Sequence, residues 1–367
     1  MKILLPYFTH PQNLLADIAT NAESKGKKVV EGGMEKFYYN LEEHIDGIIP
    51  VMITREDKDN RLTKRRIQDA IAQHDPDMII FNNPWWGKMM ISLGLPLIAI
   101  VHEPLVRDIR MIELGTILKT LNDSGAHIYF VSQFQLDFHR NMAKRIKDVD
   151  FGNIKGFINP SYLRSDTPYS SDNRYDVSTV GRFDDDKDPF LIHRKLQNTD
   201  LNSLVVSNNT LYKNDARNKY VEDNQNWTEP QCTMLGYAHS DVLEAVSKSS
   251  AFVSTWPKES WGITAMEALG CGVPVILLVD DTDTHASESI AADSSHYIKI
   301  RKKCSKEEFE SAARKAIAIP ESKRRDIASM TKRKHSLTNW KLSIDKMISL
   351  RYNDATGKPK TLMEFFV

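Results

Sequence analysis

Short, wholly apolar runs constrain this chain most. Met78–Phe81, Leu97–Val101 and Val275–Val279 hold four or five aliphatic or aromatic residues with no polar residue between them. A strand with one wet face alternates polar and apolar residues, so a continuous run belongs to a strand covered on both faces. Amphipathic stretches over residues 61–74 and 109–121 lie between such runs and supply the covering helices. Strand and helix in alternation predict parallel sheets with helices on both sides.

The alternation occurs twice. The first series has strands over residues 3–5, 78–81, 97–101 and 128–131, with a further helix over 12–25. Residues 159–176, rich in Pro, Ser, Asp and Asn, read as an interdomain linker. The second series has strands over 176–180, 203–207, 233–235, 251–254, 275–279 and 296–300, with helices over 189–197, 241–247 and 264–269. A helical end follows, capped at Ser305 and Glu307–Glu308, with Leu337, Trp340, Ile344, Met347 and Ile348 on one side of its last stretch. The expected division is 1–160, 161–335 and a terminal helix and tail over 336–367. A chain of 367 residues exceeds one ordinary core, which agrees with two domains.

Composition narrows the function classes. The formal net charge is zero, so no global field draws the chain to nucleic acid or a membrane surface. Cys232, Cys271 and Cys304 are odd in number and far apart, which speaks against a disulfide framework or a zinc site and for a reducing, cytoplasmic setting. The apolar run at Met1–Pro6 is too short for a signal peptide, and the longest apolar runs are strand-sized, so no integral membrane association is expected.

Doubly wound sheets bind ligands at the carboxyl ends of their strands. At one such end stands Lys258-Glu259-Ser260-Trp261-Gly262-Ile263-Thr264-Ala265-Met266-Glu267, followed by Ala268-Leu269-Gly270-Cys271-Gly272-Val273-Pro274. A loop with Gly262 entering a helix offers unpaired amides to an anion, and glycine lets that anion approach the backbone. By itself, the glutamate pair also fits a solvated loop acid and a helix-end charge. Upstream, Val180-Gly181-Arg182-Phe183 with Lys187 puts two cations after another strand. These suit phosphate oxygens, but Asp184, Asp185 and Asp186 alongside also allow a surface ion pair. That acidic run, and Asp280, Asp281 and Asp283, read as caps or loop residues rather than a metal site. His102 ends the strand over 97–101.

The Glu259/Glu267 spacing with the Cys-Gly-x-Pro ending resembles the signature of retaining GT-B-fold glycosyltransferases, the superfamily of glycogen synthases and many bacterial sugar transferases. The resemblance implies an α/β GT-B fold: two doubly wound Rossmann-like domains facing a central cleft, with an N-terminal acceptor domain and a C-terminal nucleotide-sugar domain. It implies that Glu259 contacts the transferred sugar, that the amides of Trp261, Gly262 and Ile263 hold sugar and diphosphate, and that Glu267 takes the ribose hydroxyls. It further implies that Gly181, Arg182 and Lys187 clamp the diphosphate and that Asn208 and Tyr237 surround the nucleoside. His102 would reach the donor sugar and Glu103 the acceptor hydroxyl. No cofactor is required in this reading, and the basic clamp takes the place of a metal. Residues 6–11, Pro-Tyr-Phe-Thr-His-Pro, depart from the Gly-Gly loop of many relatives, so nothing is carried over there.

The expected reaction moves a sugar from a nucleotide-diphosphate sugar, by default a UDP-sugar, to a hydroxyl with retention. Lys64-Arg65-Arg66, Arg301-Lys302-Lys303 and Lys332-Arg333-Lys334-His335, with Tyr7, Phe8, Trp85 and Trp86 near first-domain strand ends, suggest DNA as acceptor. The segment at His102-Glu103 is similar to bacteriophage glucosyltransferases that modify 5-hydroxymethylcytosine. A lipopolysaccharide, glycolipid or other glycan acceptor is the alternative. A non-catalytic nucleotide-sugar-binding protein is the alternative of another class, and an epimerase on two similar domains is a further rival.

Overall fold

The computed structural model describes residues 1–9, 33–54, 60–102, 109–145, 152–182, 187–207, 231–235, 239–281 and 283–357. The expected helix over 12–25, and Glu103, Asp184–Asp186, Asn208 and Tyr237, lie outside them. The chain divides into two units. One draws on Met1–Leu15, Gly32–Tyr162 and Leu337–Val367, and the other chiefly on Leu163–Ser336.

In the first unit the described strands are β1 (Ile3–Thr9), β2 (Ile48–Thr54), β3 (Met78–Phe81), β4 (Leu97–Val101), β5 (His127–Phe130) and β6 (Ile154–Phe157). They form one parallel sheet in the order β2-β1-β3-β4-β5-β6. Its helices are α1 (Gly33–His44), α2 (Asn60–His74), α3 (Gly87–Ile91), α4 (Ile109–Asp123) and α5 (Gln133–Arg145). β3 and β4 are buried at every position, as their unbroken apolar runs require.

Two differences from the sequence reading have physical causes. β1 continues through Pro6, Tyr7 and Phe8, which pair in register with Val51, Met52 and Ile53, so Tyr7 and Phe8 sit within a strand rather than in a loop after it. The buried Tyr7 ring stacks on Tyr38 at 4.9 Å. β2 escaped notice because Pro50 interrupts it, and proline is tolerated there because β2 is an edge strand.

The second unit has β7 (Tyr175–Val180), β8 (Ser203–Ser207), β9 (Gln231–Leu235), β10 (Ser249–Ser254), β11 (Val275–Val279) and β12 (Tyr297–Arg301). These are again parallel, in the order β12-β11-β10-β7-β8-β9. Its helices are α6 (Leu191–Leu196), α7 (His239–Ser247), α8 (Ile263–Gly270), α9 (Lys306–Ile317) and α10 (Glu321–Lys334). Ser305 caps α9: its hydroxyl accepts from the Glu308 amide, and the Glu308 carboxylate accepts from the Ser305 amide. Residues 163–174 pack rather than dangle. Leu163 is buried and donates its amide to the His335 carbonyl, and a β-carbon at Gly270 would lie 2.3 Å from a Leu163 methyl.

The last described helix, α11 (Leu337–Thr356), belongs to the first unit. Trp340, Ile344, Met347 and Ile348 are its buried stripe. The Trp340 indole N–H donates to the Asn159 carbonyl at 3.0 Å, Arg351 to the Leu97 carbonyl at 3.2 Å, and His127 bonds Asp354 at 2.8 Å.

Candidate active site

The strand order of the second sheet reverses between β7 and β10, since β7 leads outward to β8 and β9 while β10 lies on its other side. Loops leaving the carboxyl ends of such a pair diverge and leave room for a ligand. Both motifs singled out in the sequence leave this pair. β7 ends at Val180, and Gly181 donates its amide to the Val206 carbonyl at 3.1 Å. Arg182 follows, exposed. The Thr179 hydroxyl donates to the Val253 carbonyl at 2.7 Å, a tie between the two strands just below their loops.

Lys187 is held from two sides. Its carbonyl accepts the Thr255 hydroxyl, and its ammonium bonds the Glu259 carboxylate. The same ammonium lies 3.9 Å from the centre of the Trp256 ring, within cation–π reach. Lys187 and Glu259 thus stand together at the switch point, both partly buried.

Gly262 caps α8 with φ of 96°, a left-handed conformation natural to glycine. A β-carbon there would fall 2.1 Å from the Ser287 hydroxyl oxygen. Gly262, the cap, makes no side-chain capping bond, so among the described residues no cap side chain offsets the partial positive charge of the helix start at Ile263. The Trp261 carbonyl accepts the Ser287 hydroxyl at 3.1 Å, and its ring is buried edge-on to His335 at 5.9 Å. Glu267 is buried on the second turn of α8.

The Cys-Gly-x-Pro ending has a different task. The Gly272 amide donates to the Leu269 carbonyl and the Val273 amide to the Ala268 carbonyl, both at 2.9 Å, around a left-handed Gly272 with φ of 77°. That is a Schellman stop, and Pro274 then prevents any continuation. Buried Arg324 on α10 donates to the Gly272 carbonyl at 3.2 Å and also to the Ser249 carbonyl and the Asn173 side chain. This half of the motif fixes where α8 ends, and the Glu259–Gly262 half shapes the surface.

In the first unit, His102 directly follows β4. Its ring lies edge-on to Phe37 at 5.6 Å, and burial pushes its pKa down to about 3. It is therefore a neutral imidazole at any physiological pH. Its Nε2 and the Asn82 side-chain amide nitrogen, at the end of β3, are buried with no hydrogen-bond partner among the described residues. Asn82 was not singled out in the sequence, where an Asn-Asn-Pro turn is ordinary. Trp85 is exposed and Trp86 buried, in the turn that follows.

Within the basic run Lys332–His335, three side chains bond backbone carbonyls. Lys332 donates to the Thr167 carbonyl at 2.6 Å, and Lys334 to the Ser289 and Ala291 carbonyls at 2.7 and 2.8 Å. His335, buried, bonds the Ile290 carbonyl at 2.8 Å. Arg301 is similarly engaged with the Asp280 carbonyl at 2.6 Å. Cations at the end of α10 satisfy carbonyls, which the sequence alone does not distinguish from a solvated charge run.

Residues 168–334 match the family described as Glycosyl transferases group 1. Among curated proteins, no sequence matches significantly. Solved structures do. A sucrose-phosphate synthase of Thermosynechococcus elongatus has 14% identity and a TM-score of 0.67, covering 98% of this chain and 100% of its own. HepE of Anabaena, solved with UDP and glucose, has 14% identity and a TM-score of 0.65, covering 95% and 100%. The lipopolysaccharide outer core galactosyltransferase WaaB has 12% identity and a TM-score of 0.56, covering 95% and 100%. With the two parallel six-stranded sheets, these likenesses establish the GT-B fold.

Proposed function

We propose that the protein transfers a sugar from a nucleotide-diphosphate sugar to an acceptor hydroxyl with retention of configuration. The observation that carries this reading is the gathering, at the β7/β10 switch point, of Gly181-Arg182, Lys187, Glu259 and the α8 start at Gly262–Ile263. A diphosphate leaving group gains charge as its bond to the anomeric carbon breaks. Arg182, Lys187 and a helix N-terminus are suited to that charge. UDP and glucose in the HepE structure make UDP-glucose the first donor to try.

In this mechanism the anomeric carbon–phosphate oxygen bond breaks while the acceptor oxygen bonds the same face of the carbon. The acceptor proton passes to the departing phosphate. Glu259 holds the sugar hydroxyls, Glu267 the ribose, and His102 serves as an uncharged hydrogen-bonding group. Asn208, Tyr237 and Glu103 keep the roles that the family resemblance gives them. No metal is needed for the charge that Arg182 and Lys187 meet.

For the acceptor, 5-hydroxymethylcytosine in DNA keeps as support the cluster Lys64-Arg65-Arg66 on α2 and the exposed Trp85. Of Lys332–His335, the Lys332, Lys334 and His335 side chains are engaged with carbonyls, which leaves the α2 cluster as the clearer basic support. The experiment supplies radiolabelled UDP-glucose and related UDP-sugars with hydroxymethylcytosine DNA, unmodified DNA, and lipopolysaccharide or glycolipid acceptors, and follows label and anomeric configuration. Label in the modified DNA alone assigns that acceptor, and label in a glycan assigns the alternative. Inverted product removes the retaining mechanism. Neither transfer nor nucleotide release from any donor overturns the reading.

A further inference from the structure

We propose that His285 is a positioning residue of the donor site, tying together both ends of the loop over residues 256–262. The proposal rests on the reading that this loop and the start of α8 receive the nucleotide-diphosphate sugar. His285 follows β11, is buried, and carries no feature in the sequence that marks it.

Its two ring nitrogens face opposite parts of the site. Nδ1 accepts the Ser287 amide at 3.1 Å. A nitrogen that accepts carries no proton, so in the neutral ring Nε2 bears the hydrogen and donates it to the Trp256 carbonyl at 3.1 Å. The Ser254 hydroxyl, on the last residue of β10, stands 3.4 Å from the same Nε2. One tautomer therefore satisfies both sides.

Each contact leads to a donor-site residue. Trp256 begins the loop, and the Lys187 ammonium rests on its ring. Ser287, fixed by Nδ1, donates its hydroxyl to the Trp261 carbonyl at the far end of the loop and fills the space beside Gly262. Glu259, between these anchors, bonds Lys187. The turn that carries His285 is itself held: the Glu288 carboxylate accepts the His285 amide at 2.7 Å, closing a capping box.

Protonation breaks this arrangement, because an Nδ1–H cannot accept the Ser287 amide. Burial is the main cause that keeps the ring neutral. The carboxylates of Glu259 and Glu288 oppose burial, and the Lys187 ammonium assists it. Glu288 is in turn faced from β12 by Lys299 at 3.2 Å and by the Tyr297 hydroxyl at 3.3 Å.

The test is calorimetric titration of the full chain with UDP-glucose, whose diphosphate diester has no proton to lose in the range used. Wild type is compared with His285→Ala, His285→Asn and His285→Gln between about pH 5 and about pH 8. Alanine removes both bonds and is expected to weaken binding about tenfold or more near neutral pH. Asparagine keeps an acceptor for Ser287, and glutamine keeps a donor for Trp256, so each restores part of the loss. Because burial lowers the ring below its ordinary value of 6.5, a histidine-linked loss of wild-type affinity is expected only at the acid end of this range, and its absence in His285→Gln assigns it to this ring. If alanine fails to fold, the glutamine and asparagine profiles decide. Variants that match wild type in affinity and pH profile overturn the role of His285 and leave the donor-site reading standing. A wild type that binds no UDP-sugar, while folded, overturns the donor-site reading and this inference with it.

Discussion

The Lys187 ammonium bonds the Glu259 carboxylate while lying over the face of Trp256. In the proposed reaction the two have separate partners, phosphate for the lysine and sugar hydroxyls for the glutamate. Their pairing holds both side chains in place for those partners, and the ion pair itself adds little to stability at a partly solvated position. Lys187→Ala is expected to weaken UDP-glucose binding by about tenfold, and Glu259→Gln to lower the transfer or donor-hydrolysis rate by about a hundredfold with UDP binding retained. Melting temperatures of both should stay near wild type. Full turnover in Glu259→Gln would remove this residue from the site.

Gly262 links backbone geometry to chemistry. Its φ of 96° and the 2.1 Å approach of the Ser287 oxygen to a would-be β-carbon leave no place for a side chain. Gly262→Ala should therefore cost roughly 1–3 kcal/mol of stability and shift the first amides of α8. The expected reading is a loss of UDP affinity larger than the loss of folded protein. Adding Ser287→Gly removes the collision but not the unfavourable φ, so the double variant should recover affinity only in part. Equal affinity in Gly262→Ala and wild type would show that the helix start does not hold the phosphates.

Much of this architecture was legible because buried parallel strands have a plain signature. β3, β4, β8 and β11 have the bounds that their apolar runs predict. The edge strand β2 was not legible, because Pro50 masks it, and β1 was cut short because Pro6 reads as a strand end when pairing with β2 is unknown. At the candidate site, the Glu259–Ile263 and Gly181–Lys187 segments were singled out in the sequence by a resemblance resting on local features, a strand end, a loop and a helix start, and the structure brings Lys187 and Glu259 together. His285 was not, because its significance lies in contacts with Trp256 and with Ser287, a residue whose own partner Trp261 is 26 positions away. The carbonyl partners of Lys332, Lys334 and His335 were not legible for the same reason: what these cations touch is decided by tertiary structure.

The Schellman stop makes a separable prediction about the other half of the motif. A β-carbon at Gly272 would lie 2.6 Å from the Arg324 carbonyl oxygen, in a left-handed conformation. Gly272→Ala should lower the stability of the second unit by roughly 1–3 kcal/mol, and a thermal melt would register it. Nucleotide affinity of the folded fraction should stay within about twofold of wild type, because this glycine shapes the end of α8 and not its start. A selective loss of UDP binding without loss of stability would move Gly272 into the binding site.

Acid should destabilise both units through buried histidines. Burial is the leading cause that lowers His127 and His139 in the first unit, and His193 and His335 in the second, to about 4, and His102 to about 3. In the unfolded chain each titrates near its ordinary value of 6.5. Between that value and the lowered one the unfolded state binds more protons, so stability rises with pH across the window and is lost as pH falls through it. Above it these groups contribute no pH dependence. The melting temperature should therefore be flat from about pH 8 to about pH 7 and fall steadily toward about pH 4.5. His139 isolates the effect: its ring stacks on Phe130 at 4.6 Å, and its Nε2 is buried without a partner among the described residues. His139→Phe removes a proton acceptor from the unfolded state and keeps the stacked ring, so it should raise the melting temperature at about pH 5 by a few degrees and change it little at about pH 8. A His139→Phe curve parallel to wild type across that range would show that this ring is not what acid acts on.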